Sequence, residues 1–262
     1  MPEILEVELS RRLLEAHALG RRITAVDAPD AWYLKRGLDA GTVRDALVGS
    51  RFVAARRRGK LLLLDTDRGG PVLGLHFGMT GRVFVDDRAA HDRLYYLDRE
   101  PDPAWDRFVV QFGARGELRL SDPRRLGAVE LDPDEDRLGI DAFALTRAQV
   151  AAIVRASRAP LKAVLLDQAR VAGLGNLLVD EILWRAGIDP ARPARSLDDT
   201  ETAALARAVR ETLRVLGRRG GSHTGDLMEQ RVPGGVCPRD GAPLTRRTVG
   251  GRTTYSCPVH QR

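Results

Sequence analysis

The sequence is poor in cysteine, lysine and long apolar runs. Two cysteines, Cys237 and Cys257, stand in 262 residues, which excludes a disulfide-dense scaffold. They leave one disulfide in an exported chain, or a metal site or plain burial in a reducing cytosol, and the latter is expected. No stretch is long or apolar enough to span a membrane, and the N-terminus lacks the basic-then-apolar pattern of a signal peptide. A cytoplasmic protein is the expectation. There is no internal repeat and no low-complexity tract. Lysine occurs only at Lys35, Lys60 and Lys162 among 42 Lys and Arg residues. Such a skew suggests a G+C-rich genome, where lysine codons drift to arginine. A place merely needing positive charge would have become arginine, so each remaining lysine is informative. Arginine carries the charge excess, +6 at neutral pH, which favours nucleic acid or an anionic surface as partner without choosing between them.

The length suffices for two domains, or two and a small appendage. Residues 3–18 place Ile4, Val7, Leu13, Leu14 and Ala18 between charged positions, an amphipathic helix with Glu3 and Glu6 in its first turn. From 21 to 131 the texture becomes short strand-like runs: 51–57, 61–65, 72–77, 83–85, 108–112, 117–120 and 128–131. Turns such as Arg68-Gly69-Gly70 and Ala114-Arg115-Gly116 separate them. This spacing predicts a β-sandwich or barrel. The acidic, aperiodic stretch that begins at Asp132 is the candidate linker. Helices are predicted over 146–156 (with Thr146 as N-cap), 161–168, 177–186 and 198–216. Gly173-Leu174-Gly175 makes the middle pair two helices joined by a tight turn. The boundaries become 1–131 for the β-domain with its helix, 132–145 for the linker, 146–232 for the helical domain and 233–262 for a cysteine-bearing hairpin.

Several constellations carry chemistry. The chain opens Met1-Pro2-Glu3. Removal of Met1 would expose Pro2 as a secondary amine, which forms an iminium with an aldehyde without further activation. Glu3 beside it is a proton donor or acceptor. The bland alternative is a proline in a first helical turn. In the tail, Cys237-Pro-Arg-Asp240 and Cys257-Pro-Val-His260 are two corners on a hairpin turning at Gly250-Gly251. Paired ligands reaching one tetrahedral ion is zinc-ribbon logic, with Cys237, Asp240, Cys257 and His260 as the set; the alternative is a decayed site that folds by packing. Lys60 ends the run Arg56-Arg57-Arg58-Gly59-Lys60 at a strand start, where its amine can pair with a phosphate or move a proton. A hairpin rim bathed in solvent accounts for the arginines. His76–Arg82 and Asp122–Gly127 are two turns, each with an apolar tip (Met79, Leu126) that suits a wedge between bases. Glycines before Asn176 open a helix whose backbone N–H groups form an anion cradle suited to a phosphate, or simply a packing element.

Together these segments resemble the formamidopyrimidine-DNA glycosylase / endonuclease VIII family, from Met1-Pro2-Glu3 and Glu6 through 58–60, 76–81, 122–127 and 171–181 to the Gly251–Tyr255 hairpin. The resemblance implies an α+β fold. It comprises an N-terminal helix on a two-layer β-sandwich, a helix-two-turn-helix domain and a zinc-ribbon-like hairpin. It implies a bifunctional glycosylase and AP lyase of base-excision repair. Pro2 would attack C1′ of a flipped nucleotide and form a Schiff base, Glu3 would be the general acid–base and Glu6 would support the site. Lys60 would contact the phosphate beside the lesion and assist the chemistry. His76, Asn176, Arg252 and Lys162 would hold the bent backbone, and Met79, Arg124 and Leu126 would fill the gap. A structural Zn2+ would fix the hairpin. The expected partner is double-stranded DNA with damaged bases or abasic sites, bound by a monomer with no membrane.

Four departures qualify the match. Leu5 stands where many members have proline, and Leu126 replaces a phenylalanine common in the purine-directed branch. The run from Gly221 to Cys237 is short beside members with a loop that caps oxidised guanine, and the metal set is mixed where four cysteines are usual. Weak activity on 8-oxoguanine is expected, with ring-opened purines, oxidised pyrimidines or other oxidised lesions as the alternatives. Two other classes compete: a non-catalytic protein that recognises damaged DNA, and a zinc-ribbon protein that binds protein or RNA.

Overall fold

A computed structural model describes residues 2–90, 102–114 and 116–262. Met1, on whose removal the proline chemistry depends, lies outside the described residues, as does Arg115 of one expected turn. The chain divides into two units. The first contains Pro2 and Glu6–Glu135; the second contains Glu3–Leu5 and Asp136–Arg262. The division falls inside the first helix, α1 (Ile4–His17). Ile4 and Leu5 therefore count with the second unit's core and Val7 and Leu14 with the first's.

In the first unit, β1 (Ile23–Asp27), β5 (Arg82–Val85), β6 (Arg88–Ala89), β7 (Asp106–Phe112) and β8 (Glu117–Ser121) form one antiparallel sheet in the order β1-β7-β8-β5-β6. A second sheet runs β2 (Phe52–Arg58), β3 (Leu61–Thr66), β4 (Val72–His76) and β9 (Ala128–Leu131). Alternation makes the layers: Phe108, Val110 and Phe112 on β7 and Leu118 and Leu120 on β8 point to the same core as Leu62, Leu64, Leu73 and Leu75 of the other sheet. Of the two architectures left open, the sandwich is observed. Two elements were not expected. β1 is short and lies in a weakly periodic stretch, and the helix α2 (Ala40–Leu47) buries only Val43 and Leu47. Asp39 caps α2 by accepting from Thr42 N at 2.9 Å.

The second unit packs α3 (Arg147–Arg155), α4 (Leu161–Leu166), α5 (Asn176–Ala186) and α6 (Asp199–Arg219) around one apolar cluster. Thr146 and Gln149 form a reciprocal capping box on α3, and Asp198 and Glu201 form another on α6. Between α4 and α5 the chain is more than a tight turn. Val171–Ala172 (β11) pairs in parallel with Ile140–Asp141 (β10), so residues of the expected linker take part in a small sheet. The terminal hairpin is β12 (Thr245–Val249) and β13 (Arg252–Ser256), in register from Thr245↔Ser256 to Val249↔Arg252. Gly250 and Gly251 both have positive φ, 59° and 72°, as a two-residue hairpin turn of this hand requires. Among the described residues no helix is long and apolar enough to cross a membrane.

Candidate functional site

In the first unit, Pro2 and Glu6 are buried at the start of the chain. Lys60 sits in the β2–β3 turn behind Gly59, whose φ of +58° suits the first central place of a tight hairpin. The preceding arginines are structural, as a hairpin rim would have them. Arg56 pairs with Asp65 at 2.9 Å and with Glu135 at 2.6 Å, and Arg57 reaches Glu8 at 3.3 Å. His76, at the end of β4, lies opposite Leu61 in the sheet register. Its side chain has an exposed surface yet is crowded by neighbouring protein. That crowding, together with the charge of Lys60, holds its pKa below the ordinary value. It is therefore neutral at pH 7. Nδ1 accepts the Gly78 N–H at 3.2 Å, which leaves the Nε2 hydrogen as a donor.

The two turns with apolar tips come together. Asp122 is fully buried and acts as their shared frame. Its Oδ2 accepts the N–H groups of Leu126 and Gly127, each at 2.9 Å, and the Tyr33 hydroxyl at 3.3 Å. Its Oδ1 accepts from Thr80 Oγ1, which belongs to the Met79 turn, and from Arg124 N at 3.2 Å. Burial and the carboxylate of Asp122 push the Tyr33 phenol far up, so it stays a donor. A side chain at Gly78 would strike the Leu126 backbone, so glycine permits the close approach. Arg124 Nη1 lies 3.8 Å from Met79 Sδ, and Leu126 is 52% exposed. An apolar side chain left that open on a buried polar frame is built to meet something. Asp122 and Tyr33 had no assigned part in the sequence reading. The Asp-Pro opening of the turn was the available signal for Asp122, and Tyr33 left none.

In the second unit the expected phosphate cradle at the start of α5 holds a different anion. Glu3 is fully buried, and its carboxylate accepts from Gly175 N at 2.7 Å, Leu177 N at 2.8 Å and Leu178 N at 3.2 Å. The helix has no side-chain cap of its own at Gly175; Glu3 supplies it, with the positive end of the helix dipole favouring its charge. A side chain at Gly175 would strike that carboxyl, and one at Gly173 would strike Ile4. Ile4 N also donates to Gly173 O at 3.1 Å. The glycines thus admit the chain's own N-terminal segment, and the reading of these N–H groups as a phosphate site is corrected. Gln168 braces the loop by donating to Leu166 O and Leu174 O at 2.8 and 2.9 Å while accepting from Gly173 N at 2.9 Å.

Lys162 requires a second correction. Expected against a DNA backbone, it is fully buried. Its ammonium donates to Asp180 Oδ1 at 2.6 Å, Thr254 Oγ1 at 2.8 Å and Thr253 O at 3.1 Å. Burial lowers its pKa against the pull of Asp180. Asp180 also accepts from Arg231 and from Tyr255 N. The network ties α4 and α5 to β13, so Lys162 positions the hairpin and does not face solvent. Asn176, the first residue of α5, joins it through Nδ2 to Thr253 O at 3.0 Å, while its buried Oδ1 has no protein partner. Arg252, at the hairpin turn, is exposed.

Cys237, Asp240, Cys257 and His260 converge, their ligand atoms all within 4.8 Å of one another. Cys237 Sγ is 3.6 Å from His260 Nδ1, and Cys257 Sγ is 3.2 Å from an Asp240 oxygen. Ligands about 2.0–2.3 Å from a tetrahedral ion lie roughly 3.3–3.8 Å apart, so the cluster fits a metal. His260 Nε2 points to Trp184 O at 3.2 Å, which leaves Nδ1 to bind. Each thiol accepts a backbone N–H two residues on, from Arg239 and from Val259, both at 3.4 Å. The Ala242 N–H and His260 hold the Asp240 carboxyl well below its usual range. The four residues can bind a metal together.

The described geometry has close counterparts. The profile of the formamidopyrimidine-DNA glycosylase N-terminal domain matches residues 1–129, and that of the formamidopyrimidine-DNA glycosylase H2TH domain matches residues 138–226. The formamidopyrimidine-DNA glycosylase of Paracoccus denitrificans is 36% identical over 287 residues, with 100% of both chains covered. That of Gluconobacter oxydans is 34% identical over 291 residues, again with 100% of both covered. Among solved structures, Lactococcus lactis Fpg in complex with DNA containing N7-benzyl-Fapy-dG superposes with a TM-score of 0.83 at 28% identity, covering 100% of both chains. The same protein with abasic-site DNA gives 0.83 at 28% identity and 99% coverage of each.

Proposed function

From the premise that this chain belongs to the formamidopyrimidine-DNA glycosylase family, we propose that it excises oxidised bases through a Schiff base on Pro2 and then cuts the strand by successive β- and δ-elimination. The family makes it a DNA glycosylase with AP lyase activity in base-excision repair, acting on DNA with damaged bases or abasic sites. Once Met1 is removed, the Pro2 nitrogen attacks C1′. The glycosidic bond breaks, and the base leaves with its electron pair and gains a proton. Opening of the sugar gives an iminium, which acidifies the 2′-hydrogen. Loss of that proton expels the 3′ phosphate, and a second elimination expels the 5′ phosphate. Water then releases the sugar fragment and restores the amine.

Glu3 moves the proton at the sugar and Glu6 supports it. Lys60 takes the phosphate beside the lesion. His76, Asn176 and Arg252 hold the backbone, and Met79, Arg124 and Leu126 fill the gap. The observation that carries the reading furthest is the seat of Glu3. Three backbone N–H groups fix its carboxylate, and Pro2 is the adjoining residue, so acid–base group and amine are held together by one peptide bond. We take the metal to be Zn2+, bound by Cys237, Asp240, Cys257 and His260. It would fix the hairpin that carries Arg252 and supply no chemistry. The short run from Gly221 to Cys237 favours ring-opened purines or oxidised pyrimidines over 8-oxoguanine.

Borohydride trapping on an abasic-site duplex tests the mechanism. The wild-type chain should form a covalent adduct, and Pro2→Gly should trap less or change the product pattern, because a primary amine replaces a secondary one. DNA binding without any adduct would instead make the chain a non-catalytic damage-recognition protein. His260→Ala should lower bound zinc from about one per chain to near none, since one of four ligands is lost. Wild-type protein without zinc by elemental analysis would refute the metal assignment.

A further inference from the structure

Helix α6 runs from Asp199 to Arg219 and buries Leu205, Ala208, Val209, Thr212, Leu213 and Leu216. Its outer face carries Arg207, Arg210, Arg214 and Arg218, all exposed. None of the four makes an ion pair or a side-chain hydrogen bond among the described residues. The favourable interaction of cations with the C-terminal end of a helix accounts for Arg218 but not for Arg207 or Arg210, which sit mid-helix. Surface arginines on a helix usually answer an acid one turn away. Here Arg210 and Arg214, and Arg214 and Arg218, are like charges at i,i+4, an arrangement that weakens a helix by itself. An anion laid along the face would reverse that penalty.

We propose that this face is a second nucleic-acid contact, which takes the sugar–phosphate backbone of undamaged duplex while the chain searches for lesions. The inference rests on the reading of the chain as a DNA-repair enzyme. With a rise of about 1.5 Å per residue, the stripe from Arg207 to Arg218 is roughly 16 Å long. Phosphates on one DNA strand recur about every 3.4 Å of axis, so the stripe spans four or five of them. An acidic protein is the poorer fit. Protein interfaces draw their energy from buried aromatic and aliphatic anchors, and none of the exposed large apolar side chains lies on α6. A membrane surface fits no better, because the apolar face of this amphipathic helix is already packed into the core.

The test is a quadruple variant of the full chain, R207Q/R210Q/R214Q/R218Q, beside its R207K/R210K/R214K/R218K counterpart. Each is titrated against undamaged duplex across a salt series. Each phosphate contact contributes about 0.9 to the slope of log K against log salt, so the glutamine variant should be shallower by about 3. The lysine variant should keep the wild-type slope. Base release from a lesion duplex at saturating enzyme in a single turnover should be unchanged in both. A slope equal to wild type in the glutamine variant overturns the proposal. So does loss of poly-glutamate binding in that variant with its DNA slope intact, which would mark a face for an acidic protein. Failure of the wild-type chain to trap on abasic DNA is a separate readout that overturns the repair function itself.

Discussion

The β-unit displays its candidate functional side chains, whereas the helical unit buries most of its own. Leu126 is 52% exposed and Arg124 is open to solvent beside Met79. Glu3, Lys162 and Asp180 are fully buried. Both units rest on a buried carboxylate that gathers backbone N–H groups, Asp122 in one and Glu3 in the other. The difference lies in what the frame holds. In the β-unit the polar atoms are spent inside two turns, so the tips are available for contact. In the helical unit they lock the start of α5 and the hairpin against the core, and Arg252 is left to reach outward. Position in an element does not say which group is displayed; the supply of partners does.

Lys162→Met probes the buried side most severely. It leaves Asp180 with Arg231 but without its other buried cation, and loss of one partner from such a pair costs on the order of 3–5 kcal/mol. Urea unfolding should show it, and a loss below about 1 kcal/mol would mean that the network is not holding the hairpin. Asp122→Ala removes the acceptor for three backbone N–H groups and two hydroxyls of the β-unit. A cost of about 2–3 kcal/mol is expected, with Leu126 contacts to DNA lost as well. If stability falls while lesion binding does not, the frame serves the fold alone. Leu126→Ala should be the mildest. An exposed side chain away from caps and core should change stability by no more than about 0.5 kcal/mol. Affinity for an abasic duplex should nevertheless drop several-fold in a fluorescence titration, because the wedge is gone. Equal affinity would remove Leu126 from the interface.

Much of the local structure was legible. Thr146 announces the start of α3, and Asp198, the first residue of the last predicted helix, instead caps α6. The alternation on β7 announces a half-buried strand, and Gly250-Gly251 with the paired corners announces the hairpin and its ligand cluster. The misses share a cause. β1 and α2 carry too few periodic apolar positions to stand out. The N–H groups at α5 are satisfied by a residue 172 positions earlier in the chain, and no window of sequence contains both. Lys162 was rightly marked as unusual for being a lysine, yet its rarity does not say whether it meets a phosphate or an aspartate.

The sequence by itself determined where helices and strands begin, which turns need glycine and which four side chains can share a metal. These depend on neighbours within a few residues, on backbone dihedrals and on the spacing of ligands. Only the tertiary structure decided that Glu3 fills the helix end, that Asp122 joins two distant turns and that Lys162 lies inside. Each of those outcomes depends on burial and on hydrogen bonds between residues far apart in the chain, and a buried polar group is settled by whichever partner the closed fold brings to it.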